Sequence, residues 1–286
     1  MINKVNKTSG GDTACYILEL QKIGKSFGLV QANKNIDLQI ETGTIHGIIG
    51  ENGAGKSTLM NILYGLHRAD SGEMLIDGSK VKIKSSADAL SLGIGMVHQH
   101  FMLINRFSVL ENVMLGSEGG SLLSTGKITT VNKLKELGQT FDMEVDPYAL
   151  VSDLNVGMRQ RVEILKALKG GAKILILDEP TGVLTPQEAT QLFDILDKLR
   201  ANGVTVLLIT HKLAEIMAIL EYQGQSFLLI FRNNLRQASS YRQEFPSVVF
   251  VHFLKHPLFL RFLPTSHETL GHPILYVHVM RSTLSF

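Results

Sequence analysis

The sequence predicts an α/β protein built on a mostly parallel sheet, and three observations predict it. Four short apolar runs, TIHGII (44–49), IGMVH (94–98), KILILD (173–178) and GVTVLLIT (203–210), have strand lengths and do not alternate with polar residues. That pattern suits parallel strands covered on both faces. Stretches with helical spacing lie between them. A chain of 286 residues, 44% of them hydrophobic, can also fill a substantial core in one large domain or two ordinary ones.

Residues 1–15 are expected to be a disordered lead-in, without the apolar stretch of a signal peptide. From Tyr16 to about Leu220 the α/β pattern holds. The region from about Phe101 to Lys169 has no convincing strand. Within it VNKLKELGQTF puts Val131, Leu134, Leu137 and Phe141 at helical spacing, and Asp146-Pro147 breaks the pattern. A helical insertion in the α/β core is predicted. DLNVGMRQRVEILKAL starts an amphipathic helix with Val162, Leu165 and Leu168 inward. PQEATQLFDILDKLRANG is a further helix, with Pro186 at its start and Gly203 past its end.

The net charge of +2 gives no general attraction to nucleic acid or to an anionic membrane. Cys15 is the single cysteine, so no internal disulfide forms, which fits a reducing compartment. No apolar run is long enough to span a bilayer. Work at a membrane would need other chains to hold this one there.

The stretch IIGENGAGKST fits G-x-x-x-x-G-K-[ST] at Gly50, Gly55, Lys56 and Ser57, between a strand-like and a helix-like run. Gly50, Gly53 and Gly55 allow a tight turn whose N–H groups converge on phosphate oxygens, assisted by the positive end of the following helix. Lys56 is expected to reach the β- and γ-phosphates of a nucleoside triphosphate. The Ser57 hydroxyl would ligate Mg²⁺, with Thr58 close to the phosphates. In ILILDEP, Asp178 ends a buried strand and could help hold Mg²⁺ through a water. Glu179 follows it as candidate general base for the attacking water. Gln99 and His211 each follow a strand and could reach a γ-phosphate or a water; a capping or surface role is the simpler local alternative. His98 and His100 beside Gln99 suggest a metal site, but no Cys or acidic partner at suitable spacing supports zinc.

Together these elements resemble the ATP-binding cassette of ABC proteins over about residues 16–220. The resemblance implies a phosphate-loop NTPase (RecA-like) core, an antiparallel β region at the N-terminus and a helical subdomain at about 101–169. Gly50, Glu51, Asn52, Gly53, Ala54, Gly55, Lys56, Ser57 and Thr58 match the Walker A motif, and Ile174–Glu179 matches Walker B. Gln99 matches the Q-loop, which adds it to Ser57 and Asp178 as a metal-site residue. His211 matches the switch histidine. Phe27, in KSFG, matches the aromatic that stacks on adenine. Leu154–Gln160 matches the signature, giving Asn155, Val156 and Gly157 as nucleotide contacts. In that family two cassettes face head to tail, and the signature helix of one completes the ATP site of the other.

The usual signature start, Leu-Ser-Gly-Gly-Gln, is replaced here by Leu154-Asn155-Val156-Gly157-Met158. Val156 and Met158 are similar to the variant in importers of simple sugars and nucleosides. Asn155 is larger than the serine it replaces, which points to slow hydrolysis at that half-site. Thr185, standing where most cassettes have an aspartate, fits the same branch. GMVHQHFMLINRFSVLENVMLG is similar to nucleoside-importing members in particular. The resemblance therefore implies ATP-driven import at the cytoplasmic face of a membrane. Its partners would be a second cassette (a copy or a paralogous half), membrane permease subunits and an external substrate-binding protein, with no nucleic acid.

At about Leu220 the composition shifts. Lysine outnumbers arginine 17 to 5 before it and is outnumbered 1 to 5 after it, and aspartate disappears. Cassettes of this branch carry a second ATPase copy on the same chain, which is not found here. The expectation for 221–286 is an out-of-frame tail from a frameshifted or truncated gene, foreign to the fold; a genuine accessory segment is the alternative. Two other functions stay open: a nonproductive cassette that binds ATP without driving transport, and a soluble regulatory ABC ATPase.

Overall fold

The computed structural model describes residues 16–50, 52–116 and 123–211, and the backbone of strands at 226–231, 248–252, 258–262 and 276–281. The expected lead-in with Cys15 lies outside the described residues, as does Glu51.

β1 (Tyr16–Phe27) and β2 (Val30–Glu41) form an antiparallel hairpin, closed by the two residues Gly28 and Leu29 between the paired Phe27 and Val30. Gly28 takes φ +58°, a conformation open to glycine at little cost. β4 (Ser71–Ile76) and β5 (Ser79–Val81) complete an antiparallel sheet in the order β2-β1-β4-β5.

β3 (Ile45–Gly50), β6 (Ile94–Val97), β7 (Ile174–Asp178) and β8 (Thr205–Thr210) are the four apolar runs of the sequence. They pair in parallel in the order β3-β8-β7-β6. Their unbroken apolar character has a direct cause. Alternate residues enter two different cores: Ile45, Ile49, Leu175, Leu177, Val206 and Leu208 face one, and Ile48, Ile174, Ile176, Leu207 and Ile209 face the other. With both faces dry, most strand positions are apolar; His46, Thr205 and Thr210 are the buried polar exceptions.

The second of those cores lies under the antiparallel sheet and α1 (Lys56–Leu63), which contributes Leu59, Met60, Ile62 and Leu63. The first is filled by α3 (Val109–Met114), α4 (Leu123–Phe141), α5 (Val156–Lys169) and α6 (Pro186–Ala201). A short helix, α2 (Ser86–Ser91), precedes β6. Helices α3, α4 and α5, with a 3-10 turn at Val151–Asp153, occupy the stretch between β6 and β7. The predicted helical insertion is therefore present. α4 stops at Phe141, ahead of Pro147, because Asp142 turns left-handed at φ +56° and Met143 N–H returns to the Gly138 carbonyl.

The segment after Leu220 adds β9 (Ser226–Phe231), β10 (Val248–His252), β11 (Leu258–Phe262) and β12 (Tyr276–Arg281). β9 pairs in parallel with β3 from Ile45↔Ser226 to Gly50↔Phe231, and the large sheet becomes β11-β12-β10-β9-β3-β8-β7-β6. β9 of the segment after Leu220 thus lies beside the edge strand β3 of the parallel core. The physical reason lies in the backbone: β3 offers N–H and C=O groups on its second side, and the apolar run SFLLIF satisfies them.

Candidate functional site

The parallel strands end together, and the predicted site residues sit at those ends. β3 runs into the phosphate loop, β6 leads through His98 to Gln99, β7 to Glu179, and β8 to His211. Neighbouring strands lie about 4.8 Å apart, so residues just past adjacent strand ends fall within side-chain reach.

In the phosphate loop Gly53 and Gly55 have φ +81° and +93°. At Gly55 a Cβ would stand 2.2 Å from the Ala32 carbonyl oxygen, so glycine is required both by conformation and by space. Gly55 also caps α1, which starts at Lys56. The Lys56 ammonium curls back and donates to the Gly50 carbonyl at 2.6 Å, spanning the loop. Burial lowers its pKa below the ordinary lysine value, while the Glu179 and Asp178 carboxylates oppose that shift. Ser57 is exposed and Thr58 half-buried at the helix start; Asn52 is exposed and Ala54 buried. Asn33, on β2, was not singled out from the sequence. It is buried and donates from Nδ2 to the Gly55 carbonyl at 3.1 Å. Nothing local marked it, since an asparagine among QANKNID reads as an ordinary polar strand residue.

Glu179 is the meeting point. Gln99 Nε2 donates to one carboxylate oxygen at 3.2 Å, and His211 Nδ1 to the other at 2.7 Å. Glu179 has φ +46°, a left-handed backbone that a non-glycine residue adopts only at a cost. Its N–H donates to the Ile209 carbonyl of β8. Beside it, burial and then the Glu179 charge push the pKa of Asp178 up, with His98 and Lys56 opposing. Burial in turn lowers the pKa of His98, whose ring meets Tyr64 edge-on with centroids 5.8 Å apart. Among the described residues no three His, Cys, Asp or Glu side chains converge as a metal cluster. The Ser57 hydroxyl and Asp178 carboxylate are hard oxygen donors, the chemistry that suits Mg²⁺ rather than zinc.

Phe27 is 46% exposed at the hairpin tip, edge-on to His67 at 5.2 Å. Its half-open ring offers a face to a planar base. At the other end of the site α5 begins at Val156, capped by Asn155, whose Oδ1 accepts from Met158 N–H at 2.8 Å. That leaves Asn155 Nδ2 as the group able to donate to a ligand. Gly157 N–H donates to Glu188 of α6 at 3.3 Å. Glu163, further along α5, is buried and accepts from Met102 N–H at 2.6 Å, tying the segment after Gln99 to this helix. Neither glutamate stood out in the sequence, because each occupies a position that helical periodicity alone assigns to packing or solvent. Between Gln99, Phe101, Leu103, Val156, Arg159 and Val183 lies an open cleft of about 300 Å³.

A glycine-rich loop between a parallel strand and a helix, with carboxylates at the end of a nearby strand, defines a phosphate-loop nucleoside triphosphatase fold. The family model for the ABC transporter matches residues 33–182, and the chain belongs to that family. It is 48% identical over 203 residues to the nucleoside import ATP-binding protein NupA of Lactococcus lactis subsp. cremoris, covering 71% of this chain and 40% of that protein. It is 46% identical over 232 residues to the glucose import ATP-binding protein TsgD13 of Haloferax volcanii, covering 71% and 42%. The chain therefore spans about two fifths of the length of these relatives. Among solved structures, a nucleotide-free ATP-binding cassette from an ABC transporter superposes with TM-score 0.64 at 26% identity, over 74% of this chain and 87% of that one. The dimeric ABC transporter cassette MJ0796 gives TM-score 0.59 at 27% identity, over 74% and 94%.

Proposed function

We propose that this chain is the ATP-binding and ATP-hydrolysing part of an importer for nucleosides or simple sugars, seated at the cytoplasmic face of the membrane. The observation that carries the ATPase reading is the convergence of Gln99 and His211 on the two oxygens of Glu179, beside Lys56 and Asp178. The nucleoside and sugar assignment rests on the similarity to the nucleoside importer subunit NupA and the glucose importer subunit TsgD13.

In this reading the Walker A residues Gly50 to Thr58 hold the phosphates, Lys56 swings from the Gly50 carbonyl to the β- and γ-oxygens, and Phe27 stacks on adenine. Ser57, Asp178 and Gln99 hold Mg²⁺, which supplies charge neutralisation on the phosphates. Glu179 takes the proton of the attacking water, and His211 orients it. Gln99 and His211 take one acceptor site on each Glu179 oxygen, and each oxygen keeps a second lone pair for that water. Asn155, Val156 and Gly157 face the ATP of a second cassette. The cleft beside Gln99 receives a helix of the permease, and an external binding protein delivers the solute. Residues 16–220 make up the cassette, with 101–169 as its helical subdomain.

Glu179→Gln tests the reading. Turnover should fall by ~10²-fold or more, and ATP should hold the variant as a dimer on size-exclusion chromatography. Unchanged turnover would remove Glu179 from the chemistry. The composition change after Leu220 favours one second reading, a cassette that binds ATP without driving transport. Normal ATP affinity with no turnover and no nucleotide-dependent dimer selects it.

A further inference from the structure

Two helix N-termini share one carboxylate in this fold. Thr185 caps α6, and Glu188 closes the capping box: its Oε2 accepts from Thr185 N–H and from the Thr185 hydroxyl, each at 2.9 Å. Its second oxygen, Oε1, accepts from Gly157 N–H in the first turn of α5 at 3.3 Å. One turn further along both helices a second bridge repeats the link, Arg161 Nη2 donating to Gln191 Oε1 at 2.9 Å. The fit at the first bridge is close. A Cβ on residue 157 would stand 3.0 Å from Glu188 Oε1 and 3.2 Å from its Cγ, so a larger residue would push the carboxylate back by a few tenths of an ångström.

The comparison within the chain is informative. Ser108 and Glu111 form the same capping box on α3, with Glu111 Oε2 accepting from Ser108 N–H and hydroxyl at 2.8 Å. None of the hydrogen bonds described for Glu111 leads to a second helix. The α6 box therefore does something that capping does not require.

We infer that Glu188 is a positioning residue that ties the start of α6, and with it the loop leaving Glu179, to the N-terminal turn of the signature helix α5. The inference rests on the paired-cassette reading above, where Glu179 serves one ATP and the Gly157 turn serves the other. Each chain then carries a rigid link between the two sites. Only four residues, Thr181 to Leu184, separate the Glu179-Pro180 pair from the Thr185 cap, so a displacement at Glu179 on hydrolysis reaches α5 through Glu188.

The test compares three variants of the full chain: Glu188→Ala, Glu188→Gln and, as the capping control, Glu111→Ala. In the free protein, amide hydrogen exchange should be about tenfold faster at residues 157–160 in Glu188→Ala, as expected for loss of one charge-assisted hydrogen bond, and unchanged there in Glu111→Ala. Glu188→Gln has one acceptor oxygen, which keeps the two shorter Thr185 bonds and turns the amide NH2 toward Gly157 N–H, so exchange at 157–160 should be as fast as in Glu188→Ala while the cap is retained. In the Glu179→Gln background, Glu188→Ala should raise the ATP concentration for half-maximal dimer about fivefold and bring the Hill coefficient of that curve toward one. Glu111→Ala should lower the unfolding midpoint through loss of its cap while leaving that curve in place. Unaltered exchange at 157–160, or identical dimer curves for the two alanine variants, overturns the inference. A Glu179→Gln parent that stays monomeric with saturating ATP overturns the paired-cassette reading itself, and the cross-site link with it.

Discussion

Glu163 shows how one residue carries a pH signature. Burial raises its carboxyl above the ordinary 4.5, while Lys166 and the Met102 N–H pull in the other direction. Between 4.5 and the raised folded value, the folded chain binds more protons than the unfolded one. Stability from this group is therefore lost as pH rises through that window, and the whole penalty is present above it. Glu163→Gln keeps an acceptor for Met102 N–H and removes the charge. Urea unfolding should find the variant at least as stable as the parent at neutral pH and indistinguishable from it below pH 4.5. A loss confined to neutral pH would mean that the carboxylate charge stabilises the link. At Glu179 the strain argument gives another expectation. A non-glycine residue at φ +46° costs ~1–3 kcal/mol, so Glu179→Gly should unfold at the same urea concentration or higher while losing turnover. A clear drop in its midpoint would show that the contacts with Gln99 and His211 outweigh the backbone cost.

Among the elements, α1 depends most on a single position. Gly55→Ala would bring a methyl group into the Ala32 carbonyl at a left-handed backbone, so β2, the phosphate loop or both must shift. Loss of ATP binding, read by titration with a fluorescent nucleotide, is expected together with a lowered unfolding midpoint. α6 depends on its cap, and Thr185→Ala should cost about 1 kcal/mol of stability. Element boundaries were legible where turn chemistry is local: Pro186 opens α6, and Gly203, at φ +84°, follows its end. The end of α4 was less legible. Asp146-Pro147 marked a stop, but the helix leaves four residues earlier through the left-handed Asp142, a residue type that tolerates that conformation without signalling it as glycine does.

For the whole molecule, the composite sites proposed above imply that hydrolysis depends on encounter. Specific ATPase activity of this chain alone should fall on dilution, the total rate approaching second order in protein well below the dimer dissociation constant. Full activity per chain at every dilution would remove the second cassette from the mechanism. The tail bears on the same question, because β9 extends the sheet from β3, the strand that carries the phosphate loop. Cutting the chain after Leu220 leaves that edge of β3 unpaired, and the unfolding midpoint of the shortened chain should fall below that of the parent. An unchanged midpoint would place the tail outside the cooperative unit.

The phosphate loop, the Asp178-Glu179 pair and the four core strands were determined by the sequence by itself, because each is written in contiguous residues whose spacing is the signal. Family resemblance then gave meaning to Gln99 and His211, which local chemistry left open between surface and function. Only the tertiary structure decided that both meet Glu179. They lie 80 and 32 residues from it in the chain, and the order β8-β7-β6 brings their strand ends together. The same holds for Asn33 under Gly55, Glu163 under Met102 and Glu188 under Gly157. A hydrogen bond between distant segments leaves no periodic trace in either of them, since its geometry is set by how sheets and helices pack.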